Sequence, residues 1–484
     1  MKPLHTGLLV ALYFIILMVI SYITGKKSDN NSFFLGNRQS PWYIVSIGMI
    51  GASLSGVTFI SVPGWVKSTQ FTYLQMVAGY FVGYLVIAHV LLPVYYKLNL
   101  TSIYTYLEER FGKFGYKTGA WLFLISRTIG ASARLYLMAN VLQLSLFNAL
   151  GIPFAVTVII TIALIWLYTF RGGIKTIIWT DTLQTLFLLS SVIITIVYIA
   201  KTMQLDAGGL IDMISQSELS KVFVFDDWQS KQNFFKQFIS GAFITIVMTG
   251  LDQDMMQKNL SCKNIKDAQK NMKWYGLAFI PANILFLSLG ALLYIFANQQ
   301  GLTLPERSDD LFPMIVNSGK LPAIVGVFFI IGLVAAAYSS ADSALTSLTT
   351  SFSVDILGTQ HGEVLSKKTR ILVHLSFSII LMLVIILFRV LKADSIISTI
   401  FILAGYTYGP LLGMYAFGLF SKIRVKDKWI PLLAILAPVV TGVLDYNAVK
   451  WLGFSLGYEK LIINGGLMIL GLILLMEKPA KKIL

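Results

Sequence analysis

Long runs of apolar residues, separated by short polar stretches, dominate the hydropathy pattern of this chain. Thirteen of these runs are long enough to cross a bilayer, which takes about 20 residues in a helix. They lie at residues 5–25, 41–65, 73–96, 118–148, 153–170, 177–201, 234–257, 272–297, 322–355, 370–390, 396–420, 429–445 and 459–476. The pattern predicts an all-α polytopic membrane protein with about 13 transmembrane helices, forming one transmembrane domain over residues 1–484.

Two of the apolar runs are interrupted by small and polar residues. One contains Gly51-Ala-Ser-Leu-Ser-Gly56, and the other contains Thr245, Thr249, Gly250 and Asp252. At membrane depth such residues suit an unwound stretch whose free carbonyl groups line a cavity. The interruptions lie about 195 residues apart, as the first helices of two inverted five-helix repeats would. The alternative is close helix packing through small residues.

The composition and the placement of charge agree with a membrane protein. Hydrophobic residues make up 56% of the chain and charged residues 13%, whereas soluble domains carry about 25% charged residues. If the N-terminus is outside and the C-terminus is cytoplasmic, the cytoplasmic segments, including 258–273, hold 24 of the 38 Lys and Arg. The net charge of +15 therefore indicates topology and no nucleic-acid partner. We expect a multi-pass protein of a cell membrane, in particular the bacterial inner membrane.

A row of polar residues follows the apolar run that begins near residue 322. Ser339, Asp342, Ser343 and Thr346 share one helix face, since they are spaced i, i+3, i+4 and i+7. Hydroxyl groups and a carboxylate inside a membrane are costly unless they are used. Oxygen ligands with one acid favour a hard cation, and we expect sodium.

The chain also resembles a known family in seven motifs that occur in the family's order. They are Phe33-Phe-Leu-Gly-Asn-Arg38, Leu54-Ser-Gly-Val-Thr-Phe-Ile-Ser-Val-Pro63, Thr101-Ser-Ile-Tyr-Thr-Tyr-Leu-Glu-Glu-Arg-Phe-Gly112, Arg171-Gly-Gly-Ile-Lys-Thr-Ile-Ile-Trp-Thr-Asp-Thr-Leu-Gln184, Asp252-Gln-Asp-Met-Met-Gln-Lys258, the Ser-rich helix, and Gly405-Tyr-Thr-Tyr-Gly-Pro-Leu-Leu-Gly413. From about Phe33 to Phe420 the chain resembles the sodium/solute symporters, which include the sodium–glucose, sodium–proline and sodium–sialic acid cotransporters.

The resemblance implies a LeuT-like fold and a main sodium site. The first repeat would cover about 41–204 and the second about 233–420, with flanking helices at 5–25, 429–445 and 459–476. The family's main sodium site takes carbonyl groups from the first broken helix and further ligands from the Ser-rich helix. The matching positions are Gly51, Leu54, Ala336, Ser339 and Ser340.

Some members of the family bind a second sodium ion. The matching positions here are Asp181, Ser339, Ser343 and position 342. Many members have Ser or Thr at that last position, whereas this chain has Asp342. Two carboxylates facing one ion would bind a cation more strongly, or a proton would replace a sodium ion. The number of coupled sodium ions, one or two, stays open.

The resemblance places the solute beside the two broken helices. Ser53, Ser55 and Thr58 match the binding stretch of the first, and Thr245 and Asp252 lie on the second. The sugar-transporting branch has Asn and a stacking Tyr on the second broken helix, where this chain has Thr and Met. That difference argues against a neutral pyranose.

Arg127 and Arg134 are the two basic residues that the pattern places well inside a spanning segment. Members that carry acidic solutes have an arginine on this helix that binds a carboxylate. Arg134 fits that position when counted back from Gly151, and Arg127 stays an alternative. A structural ion pair, with Asp181 or Asp342, is the other interpretation.

We therefore predict a secondary active transporter, not an enzyme, that imports a small polar organic solute by sodium symport. The solute classes are an acidic sugar such as a sialic acid, a sugar, an amino acid or a carboxylate. The alternatives are a sodium-coupled carrier of a monocarboxylate or small inorganic anion, and a non-transporting membrane sensor. The expected partners are the solute, sodium ions and membrane lipid, with no obligate protein partner.

Overall fold

The computed structural model describes residues 3–26, 28–358, 365–391 and 404–477, and helices dominate this part of the chain. The principal helices are α1 (Pro3–Gly25), α2 (Trp42–Ser53), α3 (Gly56–Thr69), α4 (Tyr73–Lys97), α5 (Lys113–Leu142), α6 (Phe154–Thr169), α7 (Ile174–Thr202), α8 (Phe234–Gly250), α9 (Gln253–Leu260), α10 (Ile265–Gln299), α11 (Ala323–Ile356), α12 (Lys367–Leu391), α13 (Gly409–Phe420), α14 (Ile430–Leu452) and α15 (Lys460–Leu474). Short helices at Asn30–Leu35, Thr105–Arg110, Ala207–Ser215 and Leu311–Asn317 lie in the connections. Extended pairing in the described ranges amounts to two isolated bridges.

The helices coincide with the predicted runs, although the count of thirteen spans is not confirmed. Seven helices of the described residues are long and apolar enough to cross a membrane, or nine if each of two bent pairs counts as one span. The bent pairs are α2 with α3, at 56°, and α8 with α9, at 65°. The other four runs contain α5, α6, α13 and α15, which are shorter or more polar. Residues 396–403 of the run 396–420 lie outside the described residues.

Both predicted interruptions are therefore breaks in the helix. In the first, Leu54 (φ −77°, ψ 60°) and Ser55 (ψ 172°) leave the helical conformation. Regular backbone hydrogen bonding resumes where the Phe59 N–H donates to the Ser55 carbonyl at 3.0 Å. In the second, Asp252 caps α9, because its carboxylate accepts from the N–H groups of Asp254 (3.0 Å) and Met255 (3.4 Å).

Polar residues lie inside this helix bundle and many large apolar side chains lie on its surface. Every residue of α11 from Leu333 to Ser351 is buried, whereas Ile159, Leu383 and Leu387 are about half exposed on outer helices. A protein in water shows the opposite preference. The distribution fits a bundle surrounded by lipid, with hydroxyl groups and charges kept for the interior.

Helix α7 occupies the centre of the bundle, where it packs against both α2 and α11. Glycines allow its close approach to α2. A Cβ added at Gly48 would lie 3.0 Å from the Asp181 Cβ, and one added at Gly51 would collide with the Thr185 side chain. This packing brings the first helix break, Asp181 and the Ser-rich helix together.

Candidate ion and solute sites

The first helix break meets the Ser-rich helix α11 through Ser340. The Ser340 hydroxyl donates to the Ala52 carbonyl at 3.2 Å and to the Ala336 carbonyl of its own helix at 3.4 Å. Leu54 and Ala336 are also buried. The Ser340 hydroxyl of α11 thus faces the carbonyl of Ala52, which lies between the predicted positions Gly51 and Leu54 at the first break. Such neutral oxygens can replace the hydration shell of a small cation.

Ser339 points to a different cluster, centred on Asp181. Its hydroxyl donates to Asp181 Oδ1 at 2.6 Å, and the Ser343 hydroxyl lies 3.4 Å from Oδ2. The structure thus unites three of the residues predicted for a second ion. Asp342 joins them through Ser343, whose hydroxyl lies 3.2 Å from Asp342 Oδ1.

Lys258 also belongs to this cluster, although the sequence pattern did not predict it there. Its ammonium group lies 2.7 Å from Asp181 Oδ2, and both side chains are at most 1% exposed. The residue was assigned to a cytoplasmic loop, and that assignment is wrong because α9 lies in the protein interior. The sequence also predicted that Arg127 and Arg134 are the two basic residues inside the spanning segments. The burial of Lys258 shows that this prediction is wrong. Asp181 was the one indication of such a cation in the sequence, because a carboxylate inside a membrane bundle needs a positive partner.

A cavity lies beside the first helix break and contains most of the predicted solute positions. The described residues that line it include Ser53, Ser55, Thr58, Arg127, Arg134, Thr245, Met248, Tyr73, Tyr80, Tyr84 and Tyr275. The Tyr275 hydroxyl joins Ser53 Oγ at 2.5 Å and accepts from the Tyr84 hydroxyl at 2.9 Å. The walls therefore combine aromatic faces with a hydroxyl network, and the tyrosines come from α4 and α10 rather than from the second broken helix.

The two arginines of α5 have different surroundings. Arg127 pairs with Asp254 and lies 3.8 Å from Asp252 Oδ2, so the ion pair left open by the sequence does form, but with acids other than Asp181 or Asp342. Arg134 lines the cavity, and within the described part of the chain no carboxylate lies within 4.0 Å of its guanidinium. Arg134 is thus a cation at the cavity that makes no close ion pair with a described residue, and Asp252 attracts it only from a longer distance.

Asp252 serves the framework of the second break. Besides capping α9, its carboxylate accepts a short hydrogen bond from the Tyr408 hydroxyl and faces Arg127. It is not among the described residues that line the cavity. Its role in the structure is to hold α5, α9 and the start of α13 together behind the cavity wall.

A family model and individual proteins match this chain over most of its length. The model described as the sodium:solute symporter family matches residues 33–427. A sodium/sialic acid symporter of Aliivibrio fischeri is 25% identical over 439 residues, which are 88% of this chain and 84% of that protein. The sodium-dependent multivitamin transporter of Oryctolagus cuniculus is 27% identical over 407 residues, 81% of this chain and 62% of that protein.

A solved structure of a Na⁺-coupled sialic acid symporter, in a substrate-bound outward-open state, superposes on the chain with a TM-score of 0.82. The two are 21% identical, and the match covers 97% of each chain. This likeness confirms the predicted all-α, LeuT-like fold.

Proposed function

The chain belongs to the sodium:solute symporter family, and on that premise we propose that it carries a small anionic organic solute whose carboxylate binds Arg134. The protein is a multi-pass membrane transporter that couples a small-molecule solute to sodium, and it is not an enzyme.

The proposed negative charge of the solute follows from the position of Arg134. A buried or half-buried cation in a membrane protein is costly without a negative partner. Arg127, seven residues away on the same helix, already pairs with two carboxylates, whereas Arg134 faces the cavity and makes no ion pair within 4.0 Å with a described residue. An incoming carboxylate would supply that partner, and the guanidinium can bind it through two parallel hydrogen bonds.

The rest of the cavity favours a solute with several polar groups. The hydroxyls of Ser53, Tyr84 and Tyr275 form a continuous network on its wall, and Ser55 and Thr58 add two more. An acidic sugar, of the kind that the sialic acid symporters named above carry, would use the arginine and the hydroxyls together. A monocarboxylate or a small inorganic anion would use the arginine alone.

For the ions, we propose a main sodium site between α2 and α11. The carbonyl groups of Gly51, Leu54 and Ala336 and the hydroxyl of Ser340 would hold sodium, and the Ser339 hydroxyl, whose proton goes to Asp181, would add an oxygen lone pair. The adjacency of Ser340 to the Ala52 carbonyl supports this site. The neighbouring cluster of Asp181, Asp342, Ser339 and Ser343 is proposed as a second cation site.

A second cavity gives a route to the solute site. It is lined by residues that include Trp65, Thr69, Lys231, Lys460 and Tyr73, and Tyr73 also lines the inner cavity. The Tyr73 and Tyr80 hydroxyls lie 3.3 Å apart between the two spaces. With the N-terminus outside, this cavity faces the exterior. We propose that it is the entry vestibule and that Lys231 attracts an anion, since Lys460 already pairs with Asp445 at 2.8 Å.

The test is binding by purified protein in saturating sodium. Thermal shifts are measured with a sialic acid, a monocarboxylate, an amino acid and a neutral hexose, since a ligand of the folded state stabilises it. A carboxylate-bearing compound should stabilise the protein and the neutral hexose should not. Arg134→Lys keeps the charge and loses the planar fork, so affinity should fall about 10-fold or more. Arg134→Ala should weaken binding further.

Arg389→Ala is the matched control. It removes an arginine from a spanning helix where the side chain is exposed and bonded to Asn140, so solute affinity should stay at the wild-type value. A neutral solute as the best stabiliser, or wild-type affinity of Arg134→Ala for a carboxylate, would contradict the proposal.

A further inference from the structure

The second cation site already contains a cation from the protein itself. Lys258, on α9, directs its ammonium group at Asp181 Oδ2, 2.7 Å away. Both side chains are at most 1% exposed to solvent. The pair is therefore shielded from water, and breaking it would leave an uncompensated buried charge, so the two groups should stay together.

The protein groups around Asp181 already engage both of its oxygens. Oδ1 accepts from the Ser339 hydroxyl at 2.6 Å, and Oδ2 faces both Lys258 and the Ser343 hydroxyl. These are the same oxygens that would bind a second sodium ion. We propose that the Lys258 ammonium is the permanent occupant of this site, so that the transporter couples one sodium ion, at the main site, to each solute. This inference rests on the proposed ion sites.

Asp342 is stabilised in another way. It accepts from the Tyr168 hydroxyl at 2.8 Å and from the N–H and hydroxyl of Ser343 at 2.5 and 3.2 Å. Only the Ser343 N–H is a fixed donor among these groups, because the two hydroxyls can also accept a hydrogen bond from a neutral carboxyl group. No arginine in the described ranges pairs with it.

The charges of the cluster then determine how many mobile ions are needed. Lys258 supplies the positive charge that the Asp181 carboxylate requires, so this pair needs no mobile cation. Without the ammonium, the Asp181 carboxylate would be uncompensated and would attract a second ion into the space that Lys258 leaves.

Equilibrium binding of radiolabelled sodium to the purified wild-type protein, with no solute present, tests this count. We expect one sodium ion per wild-type chain and two per chain for Lys258→Met. The double variant Lys258→Met/Asp181→Asn removes both charges of the pair and should return the count to one. Lys258→Arg keeps the cation and should also bind one ion.

Two ions bound by the wild type would overturn the inference, and so would one ion bound by Lys258→Met. If the single variant does not fold, the wild-type count still decides. A failure of the main sodium site would look different, because the sodium affinity of Ser340→Ala would then equal that of the wild type. Since the measurement uses sodium alone, the identity and charge of the solute do not affect it.

Discussion

The variant Ser340→Ala tests two contributions of this hydroxyl separately: its contribution to the stability of the fold and its contribution to the affinity for sodium. In the structure the Ser340 hydroxyl makes two long hydrogen bonds, at 3.2 and 3.4 Å, to carbonyl groups. A neutral hydrogen bond contributes about 0.5–1.5 kcal/mol to stability, and bonds this long belong at the lower end. The sodium-free variant should therefore unfold close to the wild-type temperature.

The effect on sodium should be much larger. An interaction with a charged group contributes about 1.5–3 kcal/mol, and each 1.36 kcal/mol corresponds to a factor of ten. Loss of one ligand oxygen should thus raise the half-saturating sodium concentration about 10- to 100-fold. The assay is a sodium titration of the purified protein, monitored by thermal stabilisation against a choline background.

Ser347→Ala is the matched control for this experiment. Ser347 is equally buried on α11, seven residues further along, and its hydroxyl donates to the Ala344 carbonyl of the same helix at 3.0 Å. Its sodium affinity should be unchanged. If Ser340→Ala shows the half-saturating sodium concentration of the wild type, Ser340 is not a sodium ligand and the site lies elsewhere.

Further substitutions test the packing, the ion pairs and the topology. Gly51→Ala inserts a methyl group against Thr185 and should cost about 1–3 kcal/mol of stability; Thr185→Ala in the same chain should recover part of the lost melting temperature, and no recovery would refute the contact. Arg127→Met leaves two buried carboxylates without their cation and should cost about 3–5 kcal/mol, so a melting temperature equal to that of the wild type would contradict a structural role. A cysteine at exposed Gln216 should react with an impermeant maleimide added outside intact cells while buried Cys262 stays unlabelled, and labelling only after lysis would reverse the proposed orientation.

The sequence predicted the framework well because membrane helices follow from simple physical rules. Apolar length identified most spans, and the small residues of Gly51–Gly56 identified the first break, since a bilayer allows irregular backbone only beside a cavity. The polar face of Ser339, Asp342 and Ser343 was predicted to be buried, and the structure shows it so.

The pairing of charges could not be predicted, because it depends on which helices become neighbours. Hydropathy ended the spanning run 234–257 just before Lys258 and assigned that lysine to a loop, although Asp254 and Lys258 are buried against α5 and α7. Spacing from Gly151 favoured Arg134 over Arg127 as the solute contact, but the carboxylates that pair with Arg127 follow only from the position of α9 beside α5. Asp181 and Lys258 are 77 residues apart in the chain, and Arg127 and Asp254 are 127 apart, so these pairs can be identified only from the fold.

The polar character of α9 has a consequence for how the protein is synthesised. Each Asp or Lys at the centre of a helix opposes entry into the bilayer by about 2.5–3.5 kcal/mol, and the eight residues of α9 contain one of each. Its Gln257 amide donates to the Thr350 hydroxyl at 2.9 Å, a residue that leaves the ribosome 93 positions later. We expect α9 to remain at the membrane surface during translation, and to settle into the bundle only after α11 has been inserted.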